Sequence, residues 1–186
     1  MSDYERCDCC EEEYNCDCNK GHEYECKCSC RFEQKPKALK PNRTCLKCGI
    51  PGSVTIPLAT LAGTSFTVAT VNVDTKRMNH PCIKFEFASN IVTTAAVITI
   101  NFQIFKQCKN QLVPIPIGSI WTFSRLVAIT DSNTFSFFVC DCDTTCDDCC
   151  SYSVVATIAG IATVGVTSIN NASLAAIVVD DAQCNC

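Results

Sequence analysis

The chain has 186 residues, a net charge of −4, a pI near 5.1 and 19 cysteines, about a tenth of its length. Its length suggests one compact domain plus an extension, and its scattered basic residues, outnumbered by acids, exclude nucleic acid as the expected partner. No charged-then-apolar leader follows Met1 and no apolar run approaches roughly 18 residues, so neither membrane insertion nor export by a signal peptide is expected.

The first 48 residues hold ten of the cysteines: Cys7, Cys9, Cys10, Cys16, Cys18, Cys26, Cys28, Cys30, Cys45 and Cys48. Around them lie acids, lysines and few apolar side chains, so this segment cannot recover its conformational entropy by burying its own surface. It reads as a flexible cysteine-rich arm, ordered by cross-links, metal or docking. Cys26, Cys28 and Cys30 alternate with Lys27 and Ser29. In an extended chain such i, i+2 sulfurs share a side but sit roughly 6.5–7 Å apart at the backbone, which is wide for a disulfide between them. Each therefore looks for a partner on another strand or molecule. Fully extended, Cys7 to Cys30 spans on the order of 80 Å, enough to reach a neighbouring subunit.

Residues 31–44 contain Lys35-Pro36 and Lys40-Pro41 and read as a hinge. From Ser53 onward Val, Ile, Thr and Phe dominate between short turn signals, which predicts strands at 53–61, 65–74, 82–89, 95–106, 119–128, 134–142, 151–159 and 162–179, the last broken near Asn170-Asn171. Ile98, Ile100, Phe102 and Ile104 share one face and Thr99, Asn101 and Gln103 the other; Ile83, Phe85 and Phe87 alternate with Lys84 and Glu86. One buried and one wet face is the mark of a sandwich. The predicted fold class is all-β, an eight-stranded jelly-roll-like β-sandwich over 49–180, with the arm at 1–48 and a cysteine-bearing tail at 181–186. Trp121 reads as a core residue. No charge occurs between Ala88 and Asn101 or between Tyr152 and Val179; strands so lacking in charge associate unless covered.

A second cluster, Cys140, Cys142, Cys146, Cys149 and Cys150, falls between two predicted strands among four aspartates, and Cys184 and Cys186 lie near the C-terminus. Cross-linking, to a neighbour's arm or within the chain, is the leading expectation. The alternative is zinc held by Cys45-x-x-Cys48 with Cys146-x-x-Cys149, four thiolates in two half-sites. The vicinal pairs Cys9-Cys10 and Cys149-Cys150 are expected to take separate partners. The aspartates lack the spaced pattern of a calcium loop. Only His22 and His80 are available as bases, and no nucleophile elbow, phosphate loop or dinucleotide fingerprint appears, so an enzyme is not expected.

The strings Cys82-Ile-Lys-Phe-Glu-Phe-Ala-Ser-Asn-Ile91, Asn101-Phe-Gln-Ile-Phe-Lys-Gln-Cys108, Trp121-Thr-Phe-Ser-Arg125 and Asp131-Ser-Asn-Thr-Phe-Ser-Phe-Phe-Val-Cys-Asp-Cys142 resemble a clostridial family of uncharacterised cysteine-rich proteins, over most of 45–179. In layout the chain also resembles the endospore appendage subunits of spore-forming Firmicutes: jelly-roll domains with a cysteine-bearing N-terminal connector, no signal peptide, and fibres held by inter-subunit disulfides. That resemblance implies connector roles for Cys7, Cys9 and Cys10. It also implies synthesis in the mother cell with oxidation afterwards on the spore surface.

These readings together predict a self-assembling structural subunit of a disulfide-linked extracellular fibre. It would be a head-to-tail homopolymer, in contact with other appendage or spore-surface proteins, and without a cofactor. A zinc module and a non-fibrous coat or exosporium layer protein are the alternatives.

Overall fold

The computed structural model describes residues 44–180 apart from 77, 79, 110, 127–128, 143–148 and 161–163. These residues form eight strands and no helix: β1 (Thr44–Cys48), β2 (Gly52–Ile56), β3 (Ser65–Asp74), β4 (Cys82–Cys108), β5 (Ile115–Leu126), β6 (Asp131–Asp141), β7 (Cys149–Ile158) and β8 (Val164–Val179). All pairings between them are antiparallel.

β4 organises the rest. Its first half pairs with β8 on one side and β6 on the other, and its second half with β7 and β5. Between the halves Ala95 has a φ of 45°, and the register against β8 slips between Thr94 and Val97. The irregularity bends the strand and carries it from one layer of the sandwich to the other. One layer is β6, the first half of β4, and β8, with β1 and β2 both on β8. The other is β5, the second half of β4, β7 and β3. At one side Ile50 bridges to Thr70 of β3, and at the other Gly118 of β5 lies against Val139 of β6. The sheet is therefore nearly closed.

The core follows the alternation in the sequence. Phe85, Phe87 and Ile91 from the first half of β4 and Ile100, Phe102 and Ile104 from the second are all buried, as are Tyr152, Val154, Ala156 and Ile158 of β7. Phe87 stands 5.7 Å from Phe102, ring to ring, so the two halves of one strand pack on each other across the interior. Phe137 and Phe135 of β6 complete the aromatic cluster at 5.1 Å from Phe87 and 4.8 Å from Phe102. Each buried side chain of this size contributes about 1.5–3 kcal/mol by leaving water.

Several expectations are corrected. The predicted strands 82–89 and 95–106 are one strand of 27 residues, because Asn90–Thr93 continues the ladder to β6 and Asn90–Thr94 the ladder to β8. Thr44–Cys48, expected as hinge and arm, is a strand on β8, so Cys45 and Cys48 belong to the domain. β5 begins at Ile115 rather than 119; it takes Pro116 because an edge strand leaves one side of its backbone unpaired. Trp121 is 38% exposed and stacks on Phe137 at 5.6 Å, at the rim of the core rather than inside it. The expected break at Asn170-Asn171 is a bulge: Asn171 has a φ of 52°, and β8 stays continuous.

Candidate functional site

The two ends of β4 return to the same end of the sandwich. Lys106, near the C-terminus of β4, donates from Nζ to Asp141 Oδ2 at 3.0 Å, while Ile83, at its N-terminus, is the register partner of that same Asp141. Here too the chain enters β1 at Thr44 and leaves β8, since Val179 pairs with both Thr44 and Cys82. The end of β3 joins them, because Asp74 pairs with Cys149. Every cysteine among the described residues lies at or within one strand-length of this cysteine pole.

Four of these cysteines are in disulfides. Cys82 bonds Cys142 and Cys108 bonds Cys150, with α-carbons 4.1 Å apart in each pair. The first clamps the start of β4 to the end of β6. The second joins register partners on β4 and β7. Cys142 and Cys150, expected as inter-subunit candidates, thus have partners inside the chain, brought to them by the registers of β4 with β6 and with β7. Cys82 and Cys108 were not among the candidates. No local spacing marks them, because their sequence separations from their partners are 60 and 42 residues.

Cys45, Cys48, Cys140 and Cys149 are free thiols, and all but Cys45 are exposed. The registers fix where they stand. Cys48 pairs with Ala175, which pairs with Glu86, which pairs with Phe138; Cys140 lies two residues further along β6. Cys48 and Cys140 therefore share the outer face of one layer at its two edges, three strand spacings or on the order of 15 Å apart. Cys149 is on the other layer, next to the buried Cys150, and successive strand residues point to opposite faces. Vicinal Cys149 and Cys150 accordingly have different fates, as expected.

The zinc half-site at Cys45-x-x-Cys48 does not form. Both residues lie on the extended β1, three positions apart, so their side chains leave opposite faces of the strand instead of converging. Cys45 packs toward the core and Cys48 faces out. Among the described residues no group of three or more His, Cys, Asp or Glu side chains could hold a metal ion. Cys146 lies outside the described residues, as do Cys7, Cys9, Cys10, Cys16, Cys18, Cys26, Cys28, Cys30, Cys184 and Cys186.

Two titratable groups frame the pole, Lys84 and Tyr152. Lys84, beside Cys140 in the register, donates to Glu86 Oε1 at 2.7 Å. Its ammonium is held above the ordinary lysine range, first by that hydrogen bond and then by the charge of Glu86, with Cys140 adding a little. Tyr152, 1% exposed, donates to Asp141 Oδ2 at 3.3 Å. Burial first, and the Asp141 charge second, push its hydroxyl well above the ordinary tyrosine value of 10.

Fold and pole together define a β-sandwich domain that carries spatially separated thiols at the end where its chain enters and leaves. The chain belongs to the family described as a domain of unknown function, DUF4489, which matches residues 42–179. No match was found among curated proteins. Among solved structures the chain is similar to the D431N mutant VP2 protein of infectious bursal disease virus in derived T=1 particles, with 7% identity and a TM-score of 0.43 over 76% of this chain and 36% of that one. It is also similar to carbohydrate-binding modules of the β-sandwich superfamily, with 11% identity and a TM-score of 0.30 over 76% of this chain and 60% of that one. The chain spans less than two thirds of the length of either.

Proposed function

We propose that this protein is a structural subunit that assembles with copies of itself and is locked by disulfides made at the cysteine pole. One observation carries the reading. Cys48, Cys140 and Cys149 are exposed, free, and directed to different edges and layers, so they cannot satisfy one another within the domain. Under oxidation each takes a sulfur from elsewhere, and the arm supplies eight between Cys7 and Cys30. Fully extended, the stretch from Cys7 to Cys30 would span on the order of 80 Å, which makes a neighbouring copy a natural source. In its finest form the proposal is a fibre of the endospore-appendage kind on a spore surface.

The test is electrophoresis of natively assembled protein, with thiols blocked during extraction, boiled in detergent with and without reductant. The expected result is a ladder, or material too large to enter the gel, that collapses to the 20.3 kDa chain only with reductant. A single band at that mass in both lanes would remove covalent assembly.

A further inference from the structure

The two disulfides lie on opposite faces of their layers, and only one is open to water. Ile83 of β4 is buried, so Cys82 and Lys84 on either side of it leave the outer face of the layer. Cys140, the register partner of Lys84, is exposed, and Cys142 two residues on is exposed as well. The Cys82–Cys142 bond therefore crosses the outer face at the cysteine pole, with one open cysteine and one half-buried.

Cys108 and Cys150 are the reverse case. They are register partners whose side chains turn inward: Cys150 is 7% exposed within the core, and Cys108 packs against that core. The free thiol beside them, Cys149, leaves the opposite face of β7. Thiol–disulfide exchange requires a thiolate to reach a disulfide sulfur. Folding protects this bond and leaves the other accessible.

The outer bond is also placed to close again after opening. Asp141 directly precedes Cys142 and is fixed from two sides, by Lys106 Nζ at 3.0 Å and by the Tyr152 hydroxyl at 3.3 Å. Its backbone is in register with Ile83, the neighbour of Cys82. None of these contacts involves sulfur, so they keep the two cysteines within reach when the bond is broken. Cys140 does not compete for Cys142. The two are i and i+2 on an extended chain, with α-carbons roughly 6.5–7 Å apart, which is wide for a disulfide.

We infer that the Cys82–Cys142 bond is a thiol-exchange site whose substrate class is a free thiol from solution. The incoming thiolate attacks Sγ of Cys142, the exposed partner. A bond forms between those two sulfurs as the Cys82–Cys142 bond breaks. The electron pair leaves on Sγ of Cys82, which takes a proton from water. One disulfide replaces another, so no oxidant or reductant is needed. Cys82, still beside the mixed disulfide, then attacks it and expels the incoming thiol. A neighbour's thiol joined at Cys142 is returned in the same way, which leaves lasting cross-links to Cys48, Cys140 and Cys149. The Cys108–Cys150 bond takes no part and holds the fold.

The inference concerns a single domain, so it can fail while copies of the chain still assemble, and the reverse. The experiment uses the full folded chain with its free thiols first blocked by iodoacetamide, and circular dichroism to confirm the fold. Excess reduced glutathione is added at mildly alkaline pH, samples are acid-quenched, new thiols take a second alkylating label, and peptides are mapped by mass spectrometry. The expected result is glutathione on Cys142 and new label on Cys82, appearing at least about tenfold faster than any label on Cys108 or Cys150. Dilution out of glutathione should restore the Cys82–Cys142 bond. Equal opening of the two bonds, or no opening of the first without denaturant, would overturn the inference. So would glutathione found on Cys82 in place of Cys142, or a mixed disulfide that survives dilution.

Discussion

Lys106 and Asp141 form a nearly buried ion pair, 3.0 Å apart with side chains 11% and 9% exposed, that ties the end of β4 to the end of β6. It is the noncovalent counterpart of the Cys82–Cys142 bond beside it. Removing one partner leaves the other charge stranded, which typically costs about 3–5 kcal/mol, whereas replacing both by apolar residues of similar size is often neutral. Urea denaturation should therefore show Asp141→Ala as strongly destabilised and the triple variant Lys106→Met, Asp141→Leu, Tyr152→Phe, which also removes the hydroxyl that donates to Asp141, as close to wild type. Equal losses in the two would mean that the pair itself contributes net stability.

Tyr152 makes the pole sensitive to alkali. Its hydroxyl is buried against Asp141 and deprotonates, when folded, well above the ordinary value of 10. The folded state thus holds that proton more tightly than the unfolded chain. The linked stability is fully present below pH about 10 and declines as pH rises beyond it. Thermal unfolding followed from pH 8 to 11 should show this decline in wild type and a flatter curve in Tyr152→Phe. Parallel curves would assign the alkaline loss to other groups.

Gly118 is the residue that lets β5 approach β6. Its φ is 65°, and an added Cβ would overlap a Cγ of Val139. Gly118→Ala combines the left-handed backbone penalty, about 1–2 kcal/mol, with displacement of a core valine. Its denaturation midpoint should fall accordingly. Gly118→Ala with Val139→Ala should recover the overlap component but not the backbone one. No loss in the single variant would mean that β5 can shift outward freely.

The fold was readable because the inward positions are large and regularly alternate: Phe85, Phe87, Phe102 and Ile104 identify their strands unaided. The joints were less legible. Asn90–Thr94 carries no apolar alternation with charge, so its continuity through β4 depends on ladders to β6 and β8 far away in sequence. β1 contains two cysteines in a metal-like spacing, and only pairing with β8 reveals it as extended. The disulfides are legible last of all, since the registers of β4 with β6 and with β7 decide which cysteines meet.

Those disulfides should dominate stability. In the chain-entropy account, closing separations of 60 and 42 residues constrains the unfolded chain by about 4 kcal/mol each. Cys108→Ser with Cys150→Ser should lower the unfolding free energy by an amount of that order while leaving the fold recognisable by circular dichroism. A change below about 1 kcal/mol would show that the β4–β7 ladder already holds that end without the bond.

The free thiols should separate by place. Among the described cysteines, brief alkylation of the folded monomer should label Cys48, Cys140 and Cys149 first, with Cys45 slower because it packs toward the core and Cys150 unlabelled. Because Cys48 and Cys140 sit at opposite edges of one layer and Cys149 on the other, no single sulfur is the receiving point for every arm. Each single Cys→Ser change should thin the nonreducing ladder, and the triple change should remove most of it. If the triple variant still polymerises through disulfides as fully as wild type, the cross-links run from arm to arm and the domain serves only to bring the arms together.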